Sequence, residues 1–140
     1  MLGDSVEVEI LGPVVANEDE LNDSSVVLRL EYGLNSFLFT GDAESTAEAA
    51  MLEAYTSGEL KSDVLKVGHH GSSGASSAEF LAAVAPECAV ISCGEGNSYG
   101  HPHKETLSRL ADIGARVLRT DELGTVLLVS DGADISYISR

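Results

Sequence analysis

The chain is poor in positive charge: its 140 residues hold eight lysines and arginines against 23 aspartates and glutamates, for a formal charge of −15. That balance repels phosphate backbones unless a bound cation reverses the field locally, which disfavours a module that reads nucleic-acid grooves through basic side chains. Adaptation to high salt also produces an acidic surface, so the charge alone says little about chemistry. Long apolar runs are lacking as well. No stretch approaches the ~20 residues needed to span a bilayer, and the opening MLGDSVEVEI has no basic start followed by an apolar core, as a signal peptide would. The chain therefore reads as soluble, with no membrane segment of its own. It shows no internal repeat and no low-complexity linker, and its length fits one compact domain rather than two.

Cysteine is scarce. Cys88 and Cys93 are the only two, in an apolar run that reads as a buried strand. An odd separation points them to opposite faces, roughly 17 Å apart at ~3.3 Å per residue, far beyond disulfide reach. They are expected as small core residues.

The elements that are present follow a clear order. Val6, Val8 and Ile10 alternate with Glu7 and Glu9, the period of a half-buried strand. Residues 16–23 are acidic and polar and read as an exposed loop. Val26 to Tyr32 alternates again, and the turn Gly33-Leu34-Asn35 leads into Ser36 to Thr40, a hairpin. From there, short apolar runs alternate with helical stretches. Phe37 to Thr40 leads to a helix over about 44–55, Val64 to Val67 to a helix over about 76–84, and Cys88 to Cys93 to a helix over about 104–113. Gly114 serves as a C-cap for the last of these. Three closing strands follow, at 116–119, 125–130 and 135–138. Three strand-loop-helix units in succession predict an α/β layer.

Ligands in open α/β sheets gather outside the carboxyl ends of strands, where loops meet helix N-termini. The three strand-to-helix loops contain Asp42, the pair His69-His70 and the pair His101-His103, which include all four histidines of the chain. Imidazole nitrogen and carboxylate oxygen form the donor set that suits zinc, iron or manganese. Simpler roles compete at each position. Asp42 can cap the helix that follows it. His69 and His70 can be ordinary polar residues of a Gly- and Ser-rich loop, and Pro102 can simply open a helix. Yet the glycines around His69-His70 let the backbone approach an anion at the next helix N-terminus, where Ser72 and Ser73 offer hydroxyls. Proline after His101 favours an extended residue, which turns the rings of His101 and His103 to the same side.

Taken together, Phe37-Leu38-Phe39-Thr40-Gly41-Asp42, Asp63-Val64-Leu65-Lys66-Val67-Gly68-His69-His70-Gly71-Ser72 and Tyr99-Gly100-His101-Pro102-His103 closely resemble the C-terminal metallo-β-lactamase-like domain of the ComEC family of DNA-uptake competence proteins. Asn22 to Leu28 and Arg119 to Gly124 fit the same pattern, so the resemblance covers nearly the whole chain. It implies an αββα sandwich that uses one or two metal ions, zinc or manganese, to hydrolyse phosphodiesters or other esters. Under it, Asp42 matches the carboxylate that bridges two metals. His101 stands where the family's last histidine ligand is found, with His103 its close competitor. His69 and His70 would be ligand or catalytic groups near the scissile phosphate, and Ser72 and Ser73 would bind substrate.

The chain departs from the family pattern in one respect. The superfamily's first histidine motif, His-x-His-x-Asp-His or its variants, occurs nowhere in the sequence. Residues 1–140 are therefore expected to be the C-terminal half only of a metallo-β-lactamase-like hydrolase domain, completed by an N-terminal half. The resemblance gives the parent protein a place in a bacterial or archaeal cytoplasmic membrane, with this domain on the outer side and imported DNA as substrate. The competing expectation is a catalytically inert half-domain that assembles with a partner or as a homo-oligomer through the face its other layer should cover.

Overall fold

The computed structural model describes residues 5–16 and 19–138. Strands β1 (Val6–Gly12), β2 (Val27–Tyr32) and β3 (Asn35–Phe39) come first, followed by helices α1 (Ser45–Ala54) and α2 (Ser57–Leu60). Next come β4 (Val64–Lys66), α3 (Ala78–Val84), β5 (Cys88–Ile91), α4 (Lys104–Asp112), β6 (Arg116–Arg119) and α5 (Thr120–Leu123). The hairpin β7 (Leu127–Ser130) and β8 (Ile135–Ile138) ends the described chain. The three strand-loop-helix units expected from the sequence are present, and the fold is a mixed α/β one.

Strands β1 to β6 form one sheet in sequential order, while β7 and β8 form a separate two-stranded sheet. The pairs β1/β2 and β2/β3 are antiparallel, and β3/β4, β4/β5 and β5/β6 are parallel. A parallel pair needs a crossover, and crossovers of one hand between successive neighbours place their helices on one face. The registers show how side chains divide between the two faces. Leu38 pairs with Leu65, and Leu65 with Ala89. All three are fully buried and join Met51, Leu60, Phe80, Leu81, Val84 and Leu110 from the helices in one core.

Alternate residues turn the other way. Phe37 and Phe39, with Val64, Lys66 and Val90, line a cavity on the opposite face, closed on its far side by Val126 and Leu128 from the last hairpin. The hairpin is tethered at the β2–β3 turn. Leu34 N donates to Gly132 O at 2.6 Å, Asn35 Nδ2 to Ala133 O at 3.2 Å, and Ser130 Oγ to Asn35 Oδ1 at 2.6 Å. A Cβ on Gly33 would lie 2.2 Å from the Gly132 carbonyl oxygen, so the two turns meet in a contact that only glycine allows. Beyond the hairpin this face stays open, with Val8 at 48%, Ile10 at 70% and Phe39 at 40% exposure.

Several expectations change in detail. The apolar side of β1 lies on the open face, so the alternation marks a face awaiting cover; a shift of register between Ile10 and Gly12 accompanies the inward turn of Leu11. Residues 21–24 form a 3-10 turn with Asp23 buried, so the acidic loop expected over 16–23 is not exposed throughout; residues 17 and 18 lie outside the described residues. The buried strand expected to run to Cys93 stops at Ile91, because the chain beyond it bonds across to other loops. Both cysteines are free and only half-buried. Helix α2 was not anticipated, although Thr56 and Glu59 form the reciprocal capping box that its sequence spells.

Candidate functional site at the carboxyl edge of the sheet

The loops after β3, β4 and β5 come together, as the sequence predicts. Asp42 follows β3. Its backbone N–H donates to Ser25 Oγ at 3.1 Å. The Asp23 carboxylate accepts from Glu44 N at 3.1 Å and from Ala47 N at 3.3 Å, so it satisfies free donors at the start of α1 from another segment. Asp42 therefore does not need to cap that helix, and its own carboxylate is left about half-exposed.

After β4 the chain turns through a 3-10 segment, Gly68–Gly71, in which His69 (φ 43°) and His70 (φ 54°) both adopt left-handed backbone. Such strain in two adjacent non-glycine residues persists only where surroundings enforce it. The surroundings here are close. A Cβ on Gly68 would lie 2.9 Å from Ala43 O, and one on Gly71 would lie 2.6 Å from Pro102 Cβ. His69 N also donates to Gly41 O at 3.1 Å, and His103 N to Gly71 O at 2.9 Å. The histidine pair is thus clamped between the Asp42 loop and the His101-Pro102-His103 segment.

Each ring has a defined partner. His69 Nδ1 lies 2.6 Å from Glu44 Oε1, a carboxylate–imidazole pair that the sequence reading missed. His70 Nδ1 lies 2.6 Å from Ser92 O; since a carbonyl only accepts, Nδ1 carries the proton and Nε2 presents its lone pair when the ring is neutral. That Nε2 faces Asp42 Oδ1 at 3.6 Å. His103 Nδ1 accepts from Ser73 N at 3.0 Å, and Nε2 donates to Tyr99 O at 3.2 Å, so backbone groups occupy both of its nitrogens. His101 stands at the centre, with ring centroids 5.6 Å from His69 and 4.7 Å from His103. Burial, followed by the neighbouring His103, His69 and His70, pushes the His101 imidazole below its ordinary pKa, with Asp42 acting in the opposite direction. The central ring is accordingly biased to the neutral form that offers a lone pair.

The Ser-rich loop is built more by its backbone than by its hydroxyls. Ser72 Oγ accepts from Gly74 N at 3.3 Å, while Ser72 O accepts from Thr106 Oγ1 at 2.8 Å. Ser73 is exposed, and its carbonyl accepts from Arg109. Beneath the loop, the buried Glu48 carboxylate receives Ser76 N and Ser77 N, the latter at 2.8 Å. Burial raises the Glu48 pKa; bonds from Ser77 and Ser76 and the charge of Arg109 work against that rise.

Two further groups border the site. Cys93 Sγ donates to Asp121 Oδ1 at 3.2 Å, and burial together with that carboxylate keeps the thiol protonated by raising its pKa. Lys66 reaches from the open face to donate to Val67 O at 2.7 Å; burial lowers its pKa and Asp42 counters. Among the described residues, no group of three or more histidine, cysteine, aspartate or glutamate side chains converges closely enough to hold a metal ion. What converges is a pair of donors, Asp42 and His70.

A family profile described as the Metallo-beta-lactamase superfamily matches residues 6–95. The chain is 40% identical over 121 residues to ComE operon protein 3 of Bacillus subtilis (strain 168), an alignment covering 86% of this chain and 15% of that protein. It is 41% identical over 123 residues to Competence protein ComA of Neisseria gonorrhoeae, covering 88% and 18%. To Recombination protein 2 of Haemophilus influenzae (strain ATCC 51907 / DSM 11121 / KW20 / Rd) it is 40% identical over 120 residues, covering 84% and 14%. The chain therefore spans less than a fifth of the length of these curated relatives. No solved structure matches it.

Proposed function

The chain belongs to the metallo-beta-lactamase superfamily and is similar to ComEC-type competence proteins, and on that premise we propose that it carries one part of a metal-dependent phosphodiesterase centre acting on DNA during uptake. The observation that supports this reading is the opposition of His70 Nε2 and Asp42 Oδ1 at 3.6 Å. Two donors bound to one tetrahedral zinc at about 2.0–2.1 Å stand roughly 3.4 Å apart, so the pair is spaced as two ligands of a single ion. The proton fixed on His70 Nδ1 by Ser92 O supplies the outer partner that a ligating imidazole needs.

Two donors do not complete a site. In this reading the remaining ligands come from sequence outside these residues, an N-terminal half that also covers the open sheet face. His101 is a better candidate than His103, whose nitrogens are already bonded to backbone, although it does not converge with Asp42 and His70 on one ion position among the described residues. Zinc or manganese suits the donors, and either ion, when bound, activates water and polarises a phosphoryl oxygen. The chain's own residues do the rest. Glu44 orients His69 through Nδ1, leaving Nε2 to pass a proton to the departing oxygen. His103 and Gly71 hold the loop in which Ser72 and Ser73 meet substrate. The parent protein is assigned to the cytoplasmic membrane with this domain on its outer side; among the described residues, no helix is long and apolar enough to cross a membrane.

The test is metal affinity, measured by calorimetry with zinc and manganese alongside elemental analysis of the purified chain. Asp42→Ala and His70→Ala should each weaken binding by at least about tenfold, the scale of a lost ligand or outer partner. Equal binding by wild type and both variants would remove Asp42 and His70 from the metal centre. A second reading, an inert assembly module, is favoured by the exposed apolar side chains of the open face. It predicts stable self-association with no metal dependence.

A further inference from the structure

The segment between β5 and α4 is held by several side-chain hydrogen bonds, yet it leaves a large aromatic in water. Asn97 organises it: Nδ2 donates to Gly94 O at 2.9 Å and to His101 O at 2.6 Å, and Oδ1 accepts from His101 N at 3.0 Å. The carbonyl of Tyr99 is pinned in turn by His103 Nε2 at 3.2 Å. Backbone fixed on both sides of Tyr99 would permit a buried side chain, but the residue is 77% exposed. Its ring lies nearly parallel to the His101 ring, with an interplanar angle of 23° and centroids 5.8 Å apart. One face of the phenol is therefore against the histidine cluster and the other is in solvent. Beside it, His70, Cys93, Gly94, Asn97, Tyr99 and His101 line a shallow cavity. A Cβ on Gly94 or Gly96 would meet nothing within 4 Å, so the space around this loop is clear.

The charges nearby make this ring more telling. Asp42, Glu44, Asp121 and Glu122 border the site, and Arg119 is committed to Asp121 at 2.6 Å and to Glu122 at 2.8 Å. A strand of nucleic acid approaching this edge gains little from phosphate neutralisation by that arginine, and the chain's net charge opposes it. Base stacking adds affinity that needs no phosphate neutralisation and so can offset part of that penalty, and it tolerates any sequence because every base has a π-face. A base in a duplex already has neighbours on both faces, so only an unpaired one can use the platform.

We propose that Tyr99 is a substrate-binding residue, a fixed platform on which one base of single-stranded nucleic acid stacks so that a flanking phosphodiester lies over His70, His101 and Asp42. This assignment rests on the phosphodiesterase reading above and adds the strand's base as the group recognised. His101 supports the platform from behind.

The chain contains no tryptophan, so Tyr99→Trp introduces a single reporter indole at the position in question. It is titrated with an oligothymidylate and with an abasic oligomer of the same length and charge, in the presence of manganese. The affinities of wild type, Tyr99→Phe and Tyr99→Ala for the same labelled strands are measured by anisotropy. The indole should be quenched by the base-bearing strand, which should bind wild type and Tyr99→Phe about tenfold to a hundredfold more tightly than the abasic one, the usual scale for one stacked base. Tyr99→Ala should lose that preference while keeping its affinity for the abasic strand. Equal affinity of wild type and Tyr99→Ala for the base-bearing strand, or an unquenched indole, overturns the platform. If both strands bind equally and manganese still binds through Asp42, only the platform fails. Failure of manganese and of every strand to bind this chain overturns the platform together with Asp42 and His70 as a preformed donor pair, the observation on which the phosphodiesterase reading stands.

Discussion

Three carboxylates to which the sequence reading gave no role hold the site in shape: Asp23, Glu44 and Glu48. Histidine was easy to read because all four copies fell in two strand-to-helix loops, whereas these acids are hidden among 23 and have no motif that marks them as inward-facing. Glu48 lies in α1, an Ala- and Glu-rich helix with no sharp apolar stripe, and only the packing of α1 against α3 reveals it as buried. Its raised pKa carries a stability consequence. The folded chain binds the Glu48 proton more tightly than the unfolded chain does, so stability falls as pH rises from the unfolded carboxylate value through the raised folded one. Glu48→Gln has no such proton. Denaturant melts across that window should show wild type losing stability relative to Glu48→Gln as pH increases; a constant difference or the opposite slope would contradict buried ionisation. Glu44 makes a kinetic prediction. In a protein that carries this domain complete, Glu44→Gln should lower kcat for a phosphodiester by about tenfold to a hundredfold with KM little changed. An unchanged kcat would mean that the pair it forms with His69 has no part in proton transfer.

At the scale of elements, strands β1 to β8 and the three longer helices were legible because hydrophobic period changes clearly from two to 3.6. The short pieces were not. Helix α5 and the 3-10 turn at 21–24 are single turns, too brief to establish a period, and β5 ends at Ile91 because Ser92 and Cys93 bond to His70 and Thr120 from other loops. The loop after β4 was recognised by its composition, but its conformation is set by what presses on it. Gly71 combines φ of 83° with the near contact to Pro102. Gly71→Ala should therefore cost roughly 2–4 kcal/mol, from left-handed strain and overpacking together. Urea unfolding measures the loss. A cost below about 0.5 kcal/mol would show that the Pro102 segment yields easily and does not clamp the histidines.

For the whole molecule, the sequence indicated one helical layer on a sheet, and the structure agrees. It also indicated that a face would lack cover, from the resemblance rather than from the pattern of β1, whose apolar residues by themselves suggested an ordinary buried side. With Val8, Ile10 and Phe39 exposed on that face, the isolated chain should self-associate at micromolar concentration, and Ile10→Lys should reduce this without lowering the melting temperature. Sedimentation velocity decides: a wild type that stays monomeric at about 100 μM would indicate that the face is tolerated in water.

The sequential strand order has a consequence for how the chain reaches this state. Every strand of the large sheet pairs with its immediate predecessor, so each new segment emerging from synthesis finds its template already in place. Loop closure at each addition is short, and its entropy cost is correspondingly small. The ties of the last hairpin differ: Ser130, Gly132 and Ala133 all reach back to Leu34 and Asn35, Ser130 across 95 residues. Docking of the last hairpin is thus the step that requires nearly the whole chain, and it covers part of the sheet's open face rather than extending the sheet.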